Sequence, residues 1–256
     1  MKIYAINLPR SLDRRAHIEQ ECARYALPVE IFPAVDGAAL TADEIAAAVY
    51  PPAQKFLTAG EIGCACSHWR IYEKIVAEKI PVALILEDDA MFKVDPRPLF
   101  AAFDEMAIHG GGGIYLLTGD ANNQYIKRNP VRVAGYEFYD MVFGARTHGY
   151  VITQAAAAKF AAFQRPIRMQ ADRWKYVVIS EIVKVRIGAT AIIGLHSSAS
   201  CTTITNREAS GGHGREFHSM LMRTLPWRKR VKYYLWKFLV KPWLPMVTEQ
   251  VITARN

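Results

Sequence analysis

Residues 82–86 are all apolar, and the next three, Glu87, Asp88 and Asp89, are all acidic. That junction narrows the possible folds more than any other stretch of the chain. An unbroken apolar run of this length, opened by Pro81, reads as a central strand covered on both faces, which requires helices on either side of a sheet. Ligands of open α/β sheets bind at the carboxyl ends of the strands, which is where these acids fall. Three adjacent carboxylates repel one another unless a cation or a proton offsets them. A hard divalent ion, Mn²⁺ or Mg²⁺, takes carboxylate oxygens and completes its shell with phosphate oxygens. Strand alternation predicts Glu87 and Asp89 on one side and Asp88 on the other.

The chain around this junction has the punctuation of an α/β fold. Ile3, Tyr4, Ala5, Ile6 and Leu8 predict a first buried strand ended by Pro9. Ser11 is placed to cap a helix reaching about Tyr25, and residues 29–32 predict a second strand closed by Asp36 and Gly37. A strand–helix–strand opening belongs to α/β folds with a mostly parallel sheet. Thr58 and Glu61 have capping-box spacing at the start of a helix that should run to about Glu78. Further strands are expected at 114–118, 138–143 and 149–153, an Ala-rich helix at 154–163, and a late strand pair at 183–187 and 191–195. The Asn, Ser and Gly residues between 202 and 216 predict a loop.

A 51% hydrophobic, 22% charged composition over 256 residues supports a sizeable core and excludes a wholly disordered chain. Thirty-two Lys and Arg against 24 Asp and Glu leave a formal charge of +8, which implies an anionic partner: a nucleotide, a nucleic acid or a membrane surface. Cys22, Cys64, Cys66 and Cys201 form no C-x-x-C pair, so free thiols in a reducing compartment are expected, Cys64 and Cys66 as packing residues. The N-terminus turns charged too soon for a signal peptide, and no stretch reaches the roughly 20 apolar residues of a membrane span. The expected location is cytoplasmic.

Residues 223–241 carry seven Lys or Arg and no acid, interleaved with Trp227, Tyr233, Tyr234, Leu235, Trp236, Phe238 and Leu239. On a helix this gives one basic and one aromatic face, the pattern of a segment lying in a membrane interface. The expected organisation is an α/β domain over 1–215 followed by a basic aromatic tail over 216–256.

Four segments, in order, resemble glycosyltransferase family 25: INLPRSLDRR at 6–15, AVDG at 34–37, LTAGEIGCACSH at 57–68 and LILEDDA at 84–90. HGYVITQAAAAKF at 148–160 is similar to a later segment of that family, so the resemblance runs to about residue 200. The pairing of GEIGC-x-x-SH with ILEDD is its most specific part. The resemblance implies a GT-A-like fold with a Rossmann-type, mostly parallel sheet, and metal-assisted transfer of galactose or glucose from a UDP-sugar with inversion. Bacterial members extend lipooligosaccharide or lipopolysaccharide; animal relatives galactosylate collagen hydroxylysine. A chain without a leader fits the bacterial kind, with a lipid-linked oligosaccharide acceptor at the cytoplasmic face of the inner membrane.

The acidic triplet then stands for the family's DxD motif, with Asp89 as metal ligand, Asp88 beside it, and Glu87 and Asp88 facing the donor. His196, after the late strand, is a candidate third metal ligand through its imidazole. Arg14 and Arg15, just beyond the first strand, have the forked donors that suit phosphate. Asn7 and Asp36, at strand ends, are placed to read uracil and ribose. Glu61, Ser67 and His68 sit on the capped helix as further donor-site candidates. An inverting transfer needs a base for the acceptor hydroxyl, and the candidates are Asp172 and Glu181, with Asp120 behind them. Two other readings remain open from the residues alone. A nucleotidyltransferase shares an acidic metal cluster, although INLPRSLDRR lacks a Gly-rich phosphate loop. A basic nucleic-acid-binding module would use the aromatic tail, although the acidic triplet repels phosphate, so no nucleic acid is expected.

Overall fold

The structure, a computed structural model, describes residues 1–108, 112–119, 123–196 and 214–248. Asp120, Cys201 and the expected loop up to residue 213 lie outside the described residues. The strands are β1 (Lys2–Asn7), β2 (Val29–Pro33), β3 (Val82–Glu87), β4 (Ala90–Phe92), β5 (Ile114–Leu116), β6 (Gln124–Ile126), β7 (Val131–Val133), β8 (Tyr136–Phe143), β9 (Gly149–Thr153), β10 (Val185–Gly188), β11 (Ile193–Leu195) and β12 (Met246–Thr248). The helices are α1 (Leu12–Ala23), α2 (Ala42–Ala48), α3 (Pro51–Gln54), α4 (Ala59–Ala77), α5 (Arg97–Ile108), α6 (Gln154–Phe163), α7 (Trp174–Ser180), α8 (Gly214–Thr224) and α9 (Trp227–Leu235).

One sheet carries the strand order β12-β6-β8-β10-β5-β9-β3-β1-β2, with β7 on β8. The α/β class is the expected one. β1 lies between β2 and β3 with both pairings parallel, and β10 is parallel to β5. The pairings that involve β6, β8 and β9 are otherwise antiparallel, β9 entering between β3 and β5. Because β5 and β3 both run opposite to β9, β3, β5 and β10 share one direction. Alternation then divides the core. Tyr4, Ile6, Ala83, Ile85 and Tyr150 pack in the cluster that contains α4, α6 and α7. Ile3, Ala5, Leu84, Leu86 and Val151 pack in the cluster that contains α1 and α5. The apolar run of β3 is thus buried on both faces.

The expected pairing of 183–187 with 191–195 does not form. β10 joins the main sheet between β5 and β8, while β11 pairs with β4, the short strand that leaves the acidic turn. Nor does the chain divide near residue 215. Phe217, Leu221, Met222 and Leu225 are buried in the main core, the Tyr176 hydroxyl bonds to the Leu221 carbonyl, and β12 returns to pair with β6. What stands exposed is the outer face of α9 and the turns after it. Among the described residues no helix is long and apolar enough to cross a membrane.

Two glycines hold the N-terminal motifs together. α4 begins in the expected capping box of Thr58 and Glu61, and its first turns lie backbone to backbone against the turn at Gly37. A Cβ on Gly63 would stand 2.5 Å from the Gly37 nitrogen and 2.6 Å from the Val35 carbonyl oxygen, closer than any real Cβ contact. Ser67 secures the same approach, accepting from the Val35 amide at 2.8 Å and donating to the Gly63 carbonyl at 2.7 Å. Gly63→Ala is therefore expected to lower stability by about 2 kcal/mol or more, since backbone on both sides must yield. Urea denaturation of the two proteins measures it, and an unchanged midpoint would show that the two backbones are not held this close.

Candidate active site

β3 stops at Glu87, and Asp88 and Asp89 form the tight turn into β4. The turn breaks strand alternation, so the expected division of the acids is corrected. Asp88 and Asp89 face one guanidinium together, while Glu87 turns to the other side of the sheet. One terminal nitrogen of Arg14, from α1, lies 2.5 Å from Asp88 Oδ1 and 2.8 Å from Asp89 Oδ2. Asn7, the last residue of β1, donates from Nδ2 to Asp88 Oδ2 at 2.7 Å and to the Ser11 carbonyl at 3.1 Å. β1 and β3 pair in parallel with Ile6 beside Glu87, so Asn7 and the triplet leave the sheet at the same edge.

Even so, the acids exceed their counter-charge. Burial and the Glu87 charge push the Asp89 carboxyl up to about 6, against the lowering pull of Arg14. Burial likewise raises Asp88, opposed by Arg14 and Asn7. Asp89 Oδ1 is buried with no hydrogen-bond partner. An orphaned carboxylate oxygen in a crowded acidic turn suits a hard divalent cation, and Asp89 and Asp88 are the residues that would hold it. His196 comes to the same place: its amide donates to the Asp89 carbonyl at 2.9 Å, and its ring packs on His17 with centroids 4.1 Å apart.

On the opposite face, Glu87 heads a buried polar chain. His68 Nε2 lies 3.4 Å from Glu87 Oε1, and the Thr147 hydroxyl donates to the same oxygen. His68 Nδ1 meets the Tyr150 hydroxyl at 2.8 Å, which meets the Tyr72 hydroxyl at 2.7 Å. Burial works to raise Glu87, but the hydrogen bond and charge of His68, the Thr147 hydroxyl and His148 outweigh it and hold the carboxyl below its ordinary range. Burial, reinforced by Tyr72 and Glu87, keeps the Tyr150 phenol protonated. Cys64, expected only to pack, joins His68 and Glu87 in a group whose ligand atoms lie within 4.8 Å of one another, a possible soft-metal triad.

The other expected residues divide. Asp36 lies beyond β2 at the same edge as Asn7, capping the turn at Ala38 and paired with Arg10. Arg15 points into solvent and pairs with Glu19 one helical turn on. Ser67 is fully buried and bound to backbone, and Glu61 is occupied by its cap and by Gln170 at 3.1 Å; both shape the site rather than face a ligand. Asp172 lies just before α7, two residues from Trp174, whose ring packs edge-on to Tyr150 and bonds the Arg146 carbonyl. Glu181 does not reach the site. It ends α7 with a left-handed φ of 50°, precedes β10 at the amino edge of the sheet, and pairs with Lys232 at 2.6 Å. Tyr150, Thr147 and Trp174 escaped the sequence reading, although HGYVIT had marked the segment that holds Tyr150.

Comparison with known proteins finds the likeness of this chain among proteins of glycosyltransferase family 25. Residues 1–108 match the profile of glycosyltransferase family 25, described as an LPS biosynthesis protein. The matched segment holds Asn7, Arg14, Asp36, His68 and the whole acidic triplet. A glycosyltransferase 25 family member of Aedes aegypti is 31% identical over 69% of this chain and 30% of its own length. Procollagen galactosyltransferase 2 of Homo sapiens is 32% identical over 36% of this chain and 16% of its own. A mouse relative named inactive glycosyltransferase 25 family member 3 is 28% identical over 66% of this chain and 30% of its own. The chain thus spans less than a third of the length of these curated relatives. Among solved structures, galactosyltransferase LgtC in complex with donor and acceptor sugar analogs aligns with 91% of this chain and 100% of its own at 11% identity and a TM-score of 0.42.

The crowding of the turn has a measurable sign. The folded-state pKa of Asp89 lies above its ordinary value of 3.8, so the folded protein is penalised as pH rises from about 4 through about 6 and carries the full penalty above that. With a chelator present, Asp89→Asn should stabilise the protein at pH 7.5 by about 2–3 kcal/mol, the difference vanishing near pH 4. Denaturant titrations at the two pH values test this; a variant less stable at pH 7.5 would mean that Arg14 already compensates the turn.

Proposed function

We propose that the chain transfers a hexose, galactose first and glucose next, from a UDP-sugar to a saccharide of a lipid-linked acceptor of the lipooligosaccharide or lipopolysaccharide type, with inversion. The observation that carries the reading is the buried Asp88-Asp89 turn with its orphaned oxygen, set between Asn7, Arg14 and His196 at the carboxyl edge of β1 and β3. Asp89 and Asp88, with His196 beside them, would hold Mn²⁺ or Mg²⁺, which supplies Lewis-acid stabilisation of the departing diphosphate.

The remaining steps belong to the chain's own groups. Asn7 and Asp36, at the ends of β1 and β2, are placed for the uridine. Arg14, already bridging two carboxylates, holds the turn in shape and adds positive charge where the diphosphate develops its own. The Glu87–His68–Tyr150 chain fixes the opposite wall of the site. Asp172 takes the proton of the acceptor hydroxyl as its oxygen bonds to the anomeric carbon; the bond from that carbon to the diphosphate oxygen breaks and UDP leaves. The exposed aromatic face of the C-terminal segment supports a peripheral place on the cytoplasmic face of the inner membrane, where a lipid-linked acceptor is met.

UDP release from a panel of UDP-sugars, with Mn²⁺ and with EDTA, is the test. One donor should be hydrolysed in a metal-dependent manner, Asp89→Ala should remove at least about 99% of the rate, and Asp172→Asn should lower transfer to acceptor by about 10²–10⁴-fold with donor KM little changed. Absence of release from every UDP-sugar would sink the donor assignment and align the chain with its inactive mouse relative.

A further inference from the structure

At the amino-terminal edge of the sheet, opposite the acidic turn, lies a concavity. It encloses about 900 Å³ between the starts of β5 and β10, the ends of β6 and β8, α7, and the C-terminal segment that runs from α9 through Lys241. That volume falls in the range of sites that take small molecules. Its floor is apolar, with Met141, Val142, Phe143, Val178, Ile179 and Val183. Its rim is basic: Lys159, Lys175, Lys184, Lys229, Lys232, Lys237 and Lys241 line it, against only Asp140 and Glu181.

Three of these lysines are already engaged. Lys184 pairs with Asp140 at 3.6 Å, Lys232 with Glu181 at 2.6 Å, and Lys229 donates to the Ser180 carbonyl. Among the described residues Lys175, Lys237 and Lys241 have no ion pair. Lys175 is half-buried over the Phe143 ring at 5.8 Å, and the charges that act on it are those of Lys237, Lys241 and Arg173. Burial and these like charges depress its pKa, the signature of an ammonium group gathered without its counter-charge.

The segment that borders the cavity exposes an unusual number of large apolar side chains. Lys229, Lys232, Lys237 and Lys241 of this segment line the cavity, Lys232 and Lys237 from its exposed side, while Leu235, Phe238, Leu239 and Trp243 stand exposed, Trp243 at 86%. An apolar patch of this kind marks a contact with something else. Lysines above an apolar floor, beside an outward aromatic face, match the two halves of one kind of molecule. We propose that this cavity binds an anionic phospholipid, its phosphate among Lys175, Lys237 and Lys241 and its acyl chain along the floor, with the outward face of the segment resting in the bilayer interface. This site stands apart from the donor site, because β3, β5 and β10 run in one direction and the cavity and the acidic turn lie at opposite ends of them, about 20 Å apart for a six-residue strand.

The test uses the full chain and water-soluble dihexanoyl phosphatidylglycerol below its micelle concentration, with dihexanoyl phosphatidylcholine and inorganic phosphate as separate arms, followed by calorimetry and by tryptophan fluorescence, since Trp236 lines the cavity. The anionic lipid should bind at least about tenfold more tightly than either control, a difference of about 1.4 kcal/mol. A Lys175→Gln, Lys237→Gln, Lys241→Gln variant should lose that preference while its UDP release with a soluble acceptor is unchanged. Equal binding of phosphatidylcholine would overturn the role of the lysines, and equal binding of inorganic phosphate would overturn the lipid. No binding to the wild-type chain would overturn the site outright, whatever the variant's folding. None of these outcomes touches the donor assignment, which UDP release decides separately.

Discussion

Repulsion among Glu87, Asp88 and Asp89 sets the terms for the structure around them. Three carboxylates at the end of a buried strand are tolerable only if the surrounding elements bring donors and cations to them. Each acid draws on a different element: Glu87 on His68 from α4 and Thr147 before β9, Asp88 on Asn7 from β1, and Asp88 and Asp89 together on Arg14 from α1. Satisfying the triplet therefore ties one helix from each face of the sheet to the edge of β3. The tie is incomplete, since one Asp89 oxygen stays buried and unpaired.

The sheet separates two opposite electrostatic tasks. Its carboxyl edge gathers acids and the groups that restrain them; its amino edge gathers more lysines than the two acids beside them, Asp140 and Glu181, can pair. The excess positive charge of the sequence is consequently not a uniform coat. On the proposed reading, an amino edge resting on a membrane leaves the carboxyl edge open to a nucleotide sugar.

Much of this was legible in the residues. The central strand, the capping box of α4, the acidic turn at the end of that strand and the basic aromatic segment all follow from local patterns whose physics is short-range. GEIGC-x-x-SH was legible as a motif but not as a set of roles: Gly63 is there for a backbone contact with Gly37, Ser67 to bind that backbone, and only His68 to face the acids. The failures share one cause. β11 left its expected partner for β4, the chain past 215 returned to the core and sheet, and Glu181 fell at the wrong edge, because each depends on pairings between segments far apart in sequence.

What the sequence determined by itself, then, is the α/β class, the resemblance to family 25 and the place where acids concentrate at a strand end, since periodicity, caps and acidic clustering act over a few residues. Only the tertiary structure decided that Asp88 and Asp89 share Arg14, that Tyr150 completes a chain from Glu87, and that the C-terminal lysines line a cavity at the amino edge of the sheet. A turn reverses strand alternation, and a packed helix chooses its inward face, according to neighbours that no local pattern names.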